Sequence, residues 1–148
     1  MHAAERFASQ YGPWLGRALL SAIFLVSGWG KLTGWAGTVA MMAGKGLPLA
    51  PVLAAAAILV ELGGGLVLLS GLRSFGAVRW AALALFLYLI PATLLFHNFW
   101  AFTGEALRMQ QIHFFKNLAI MGGLIHVAAT PVAASVEAAA PARRRATV

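Results

Sequence analysis

The sequence predicts an all-α integral membrane protein. It reads as a bundle of four transmembrane helices with short loops, plus an interfacial helix between the first two. Three observations carry this. Of 148 residues, 61% are hydrophobic and 10% are charged, whereas a soluble domain carries about 25% charged residues. The apolar residues gather into four runs close to the ~20 residues that cross a bilayer. What remains is turns, one aromatic loop and a basic tail, so a single domain is expected.

The first helix is expected over about residues 13–32, with Pro13 near its first turn, where the missing N–H costs nothing. Its uninterrupted apolar part, Ala18–Gly30, is short for a span, and Arg17 breaks the run early. No small-x-small cleavage site lies near Gly28–Thr33, so the segment reads as a retained helix, not a signal peptide. In Thr33–Leu49, the residues Trp35, Val39, Met42 and Leu47 share one face of a short interfacial helix. Gly44, Gly46 and Pro48 end it.

The second helix is expected over about residues 50–72. A tight turn at Arg73–Phe75 makes it an antiparallel neighbour of the third, over about residues 76–97, with Pro91 as a kink. Asn98–Gln111 reads as a polar, aromatic loop. The fourth helix is expected over about residues 112–132. Residues 1–132 thus form the membrane domain, and 133–148 a flexible basic tail.

The net charge is +7. The basic residues are scattered apart from Arg143–Arg145, which excludes a nucleic-acid footprint. Arg6, Arg17, Arg73, Arg79 and Arg143–Arg145 fall on one side, and Lys31, Lys45, Arg108 and Lys116 on the other. The positive-inside rule then places both termini in the cytoplasm. The chain has no cysteine, which excludes thiol–disulfide chemistry and thiolate-bound zinc or iron–sulfur clusters.

Glu61 stands near the middle of the second apolar run. A carboxylate at that depth costs roughly 2.5–3.5 kcal/mol on insertion scales and marks a site by default. Helical spacing puts Ala54, Ala57, Ile58, Glu61, Gly64, Gly65 and Leu68 on one face. Arg17, Ser21, Phe24, Gly28 and Lys31 share a face of the first helix. His113, Lys116, Asn117, Ile120 and Leu124 share a face of the fourth. At 1.5 Å per residue, Arg17 and Lys116 each fall ~10 Å from Glu61 along the membrane normal. Arg17 is the expected partner, because a guanidinium binds a carboxylate through two hydrogen bonds. Such a pair either fixes helix register or gives Glu61 a proton-accepting role.

A second polar group is expected at the outer end: Lys31, His97, Trp100, Gln111, His113, Lys116 and Asn117. Histidine is the side-chain type suited to exchanging protons near neutral pH, and the lysines and amide suit a small-molecule head group. It is not a metal site: no His-x-x-x-His spacing lies on one helix, and Glu105 is the one acid nearby. His126 points elsewhere, as an interhelical hydrogen-bonding group. Gly63–Gly65 and Gly122–Gly123 read as packing glycines.

Several of these stretches together resemble the DoxX family. They are the Arg17…Phe24–Leu25–Val26–Ser27–Gly28…Lys31–Leu32 run, Lys45–Gly46–Leu47–Pro48, and Val60–Glu61–Leu62–Gly63–Gly64–Gly65. His97–Asn98–Phe99–Trp100 and Gln110–Gln111–Ile112–His113–Phe114–Phe115–Lys116–Asn117 complete the set. The resemblance implies a four-helix bundle in the bacterial inner membrane. It also implies a membrane redox role, since the family takes its name from a subunit of a thiosulfate:quinone oxidoreductase.

The first functional expectation is therefore a quinone-interacting or anchoring subunit of an oxidoreductase or oxidative-stress complex. Glu61 would be the proton-handling group, and Arg17, Lys31, His97, Trp100, His113, Lys116 and Asn117 the ligand-binding ones. The alternatives are an assembly partner without chemistry and a small transporter working as an oligomer. Expected partners are the lipid bilayer and either another protein or further copies of the chain.

Overall fold

The structure is a computed structural model and describes residues 2–70 and 75–130. Among the described residues, five α-helices follow one another: α1 (His2–Thr33), α2 (Trp35–Gly44), α3 (Ala50–Ser70), α4 (Phe75–Phe96) and α5 (Gly104–Ala129). A single 3₁₀ turn, Phe99–Ala101, lies between α4 and α5. Among the described residues, four helices are long and apolar enough to cross a membrane. α3, with 21 residues, is ~31 Å long at 1.5 Å per residue, which matches a hydrocarbon core of ~30 Å.

Two helices start earlier than hydropathy indicates. α1 begins at His2 and carries Pro13 inside it, instead of starting at Pro13. Residues 4–12 of it are exposed, and Phe7 packs on Tyr11 at 5.0 Å. α5 begins at Gly104, so most of the expected loop Asn98–Gln111 is helical. The cause is common to both. Polar residues such as Arg108, Gln110 and Gln111 end an apolar run, but they are good helix formers and do not end a helix. Glu105 in the first turn of α5 suits the positive end of its dipole. The expected turn at Arg73–Phe75 and the tail 133–148 fall wholly or mostly outside the described residues.

The short helix between the first two spans is present as α2. Met42 is buried in it, and Val39 and Leu47 pack against the Ala50, Ala54 and Ala57 cluster of α3. Trp35, expected on the same face, is 40% exposed. Gly46, at φ 74, makes the turn that ends α2, a backbone conformation glycine adopts without strain.

Small residues set the register of the bundle. A Cβ on Gly28 would lie 2.9 Å from Leu62, and one on Gly65 would lie 2.9 Å from Leu25. α1 and α3 are therefore antiparallel and in near backbone contact. Gly64 meets Leu85 of α4 in the same way. The core between the helices is Phe24, Leu68, Val78, Leu85 and Leu124. The opposite faces expose Leu19, Val26, Leu59, Leu66, Trp80 and Leu87, a surface fit for lipid rather than water. The inward faces expected on α1 and α3 are buried or half-buried, with Ser21 and Glu61 below 8% exposure. On α5, Asn117 and Leu124 are buried but Lys116, expected on the same face, is exposed.

Candidate functional site

Glu61 does not pair with Arg17. Its partner is Lys31, whose Nζ lies 2.9 Å from both Oε1 and Oε2. The register explains why. Glu61 and Leu62 face Gly28. Lys31 stands three residues beyond Gly28 and Arg17 eleven before it, or roughly 4.5 Å and 16 Å along the axis. A lysine stem reaches the first distance and no side chain reaches the second.

The carboxylate is 3% exposed and well supplied with donors. Tyr88 OH donates to Oε1 at 2.9 Å, and Ser27 Oγ donates to the same oxygen at 3.2 Å. Lys31 Nζ also donates to Ser27 Oγ at 2.6 Å. All three ammonium protons of Lys31 therefore have acceptors. A buried charge pair offsets its desolvation only when its remaining lone pairs and protons are satisfied, and Ser27 and Tyr88 do that here.

Ser27 and Tyr88 were missed in the sequence. Ser27 has a signal: it precedes Lys31 by four residues and so shares its helix face. Tyr88 has a weaker one, as a phenol inside an apolar run that needs a polar partner when buried.

The second polar group is not separate from the first. A cavity of about 230 Å³ touches Lys31, Glu61, Tyr88, His97, Lys116 and Asn117. Four helices meet there: α1, α3, α4 and α5, with Met41 and Met42 of α2 along the same cavity. Its apolar walls include Phe24, Leu89 and Ile120. Asn117 Nδ2 donates to Thr93 Oγ1 at 3.0 Å, a fully buried bond between α4 and α5. His97 Nδ1 is 2.9 Å from Gln110 Oε1. Because that oxygen only accepts, Nδ1 carries the proton, and Nε2 of a neutral His97 is an acceptor.

His113 stands just outside the cavity. Its ring lies 5.1 Å from that of His97, and Lys116 Nζ is 3.2 Å from its Nδ1. Trp100 is not at the site. It is 59% exposed and packs edge-on against Phe99 and Phe114. Gln111, also expected there, does not line the cavity.

Arg17 and His126 lie elsewhere. Both border a second cavity at the other end of the bundle. The interhelical hydrogen bond expected of His126 is not made among the described residues; its side chain is exposed.

Comparison with known proteins agrees with this architecture. Residues 12–98 match the model of the DoxX family. The chain is 35% identical over 129 residues to the inner membrane protein YqjF of Escherichia coli (strain K12), covering 85% of this chain and 89% of that protein. It is 29% identical over 116 residues to the inner membrane protein YphA of the same strain, covering 78% and 80%. No solved structure matches.

Proposed function

Because the chain belongs to the DoxX family, we propose that it is a multi-pass inner-membrane protein that works as a quinone-interacting subunit of an oxidoreductase complex, with both termini cytoplasmic. The observation that carries this reading is the cavity shared by the buried Lys31–Glu61 pair and by Lys116. A lipid-soluble carbonyl compound needs an apolar slot and a few convergent donors. Phe24, Leu89 and Ile120 supply the slot, and the Lys116 ammonium supplies a donor beside it. When bound, a quinone supplies coupled electron and proton transfer.

The chain's own part in that chemistry is to orient and to hold protons. Lys116 would hold one carbonyl oxygen. The Asn117 amide, anchored to Thr93 through one proton, has a second proton to offer. The Glu61 carboxyl group lines the same cavity, and the Tyr88 hydroxyl donates to it. A carboxylate joined to a hydroxyl is a route by which a proton reaches the cavity. With no cysteine in the chain, the electrons are assigned to a partner protein.

The test is chemical analysis of protein purified in mild detergent. Wild type should retain quinone close to one per chain, and Lys116→Met should lower that by about tenfold, the loss of one charge-assisted hydrogen bond. Glu61→Gln should keep the quinone and slow quinone-linked turnover in the host membrane. Wild-type protein free of quinone, with turnover intact in Glu61→Gln, would discard the reading.

A second reading rests on Lys31 having no donor left for a ligand. In it the pair only pins α1 to α3, and the protein is a membrane anchor for a soluble enzyme. Replacing both members by apolar residues would then leave the host activity whole.

A further inference from the structure

Arg17 is the group that the site above leaves unexplained. Its Nε is buried and has no hydrogen-bond partner among the described residues, a costly arrangement for a charged donor. It borders the larger of the two cavities, of about 420 Å³, which falls within the range of small-molecule sites. The wall is formed by α1 and α5, with Arg17, Leu20, His126 and Thr130 among its residues and Val78 of α4 at its back. None of the described residues lining it is acidic.

The cavity is graded along its length. Leu20 packs against Gly123, so the deep end is apolar. Three residues along each antiparallel helix, Arg17 stands level with His126. Gly12 and Gly16 line the α1 side, and a Cβ on either would meet nothing within 4 Å. The space is real and is kept open by bare backbone.

Depth decides what fits. Phe24 and Leu25 are level with Gly65, and Arg17 lies seven residues before Phe24, roughly 10 Å away. That puts it about 3 Å past Ser70, the end of α3, by the same rise. Since α3 matches the hydrocarbon thickness, Arg17 stands where the head groups begin. Unpaired cations at that level attract anionic lipid, and guanidinium matches phosphate geometry through paired donors.

We propose that this crevice binds one anionic phospholipid, its phosphate on Arg17 and an acyl chain lying along Leu20, Val78 and Val127. The site is separate from the Glu61 cavity and does not depend on what that cavity holds.

The experiment is native mass spectrometry of the full-length protein released from nanodiscs of phosphatidylcholine mixed with phosphatidylglycerol. One phosphatidylglycerol should stay bound under conditions that strip phosphatidylcholine. Arg17→Gln should lower that retention about tenfold, as loss of a charged hydrogen-bonding group does. Gly16→Leu should lower it similarly while leaving Arg17 in place, and it carries the test if Arg17→Gln fails to fold. Equal retention of the two lipids, or unchanged retention in Gly16→Leu, overturns the proposal. The competing occupant is residues 131–148, which follow Thr130 and contain Glu137. If they fill the crevice, wild type retains no phosphatidylglycerol and Glu137→Gln gains it, which overturns the proposal equally.

Discussion

The Glu61 carboxylate is shared unequally. Oε1 accepts from Lys31, Ser27 and Tyr88, and Oε2 from Lys31 alone. The remaining capacity of Oε2 is where a further proton or donor fits. The pair also makes a sharp stability statement. Removing one member of a buried pair strands the other charge and costs about 3–5 kcal/mol, whereas replacing both is close to neutral. Lys31→Met should therefore lower the unfolding midpoint of purified protein strongly, and Lys31→Met with Glu61→Leu should recover most of it. A double variant as unstable as the single would show that Ser27 and Tyr88, not the charge pair, set the cost. Tyr88→Phe should have a smaller effect, about 1 kcal/mol, as loss of one hydrogen bond.

The glycines of α3 differ in what surrounds them, and helix propensity alone would treat them alike. A Cβ on Gly64 would lie 2.8 Å from Leu85, which is fully buried and has nowhere to go. Gly64→Ala should push α3 from α4 and cost about 1–3 kcal/mol by overpacking. A Cβ on Gly63 meets nothing within 4 Å, so Gly63→Ala should be neutral or gain up to about 1 kcal/mol from helix propensity. Thermal unfolding in one detergent compares the two. Equal effects would mean that the contact with Leu85 does not hold α3 to α4. The same close contacts set the site: Gly28 and Gly65 bring α1 near enough to α3 for Lys31 to reach Glu61.

At the scale of the molecule, the proposed orientation, with both termini cytoplasmic, is the one that an even number of spans allows. The absence of cysteine makes this easy to test by single introduced thiols. Lys45→Cys, in the α2–α3 turn, should react with a membrane-impermeant maleimide on intact spheroplasts, and Ser9→Cys only after lysis. The reverse pattern would invert the orientation that the basic residues favour.

The number of spans, the existence of α2 and the inward faces of α1 and α3 were legible in the sequence, as was Asn117 on α5, because apolar length and 3.6-residue spacing are local properties. So was Glu61 as the residue to ask about, since the cost of a charge in lipid belongs to its position in the run. Its partner was not legible. Pairing depends on the relative slide of two helices, and that slide is set by Gly28 against Leu62 and Gly65 against Leu25, contacts between residues far apart in the chain. The same slide moved Lys31 into the Glu61 site, left the Arg17 Nε without a hydrogen-bond partner among the described residues, and put into one cavity two polar groups that sequence depth separates.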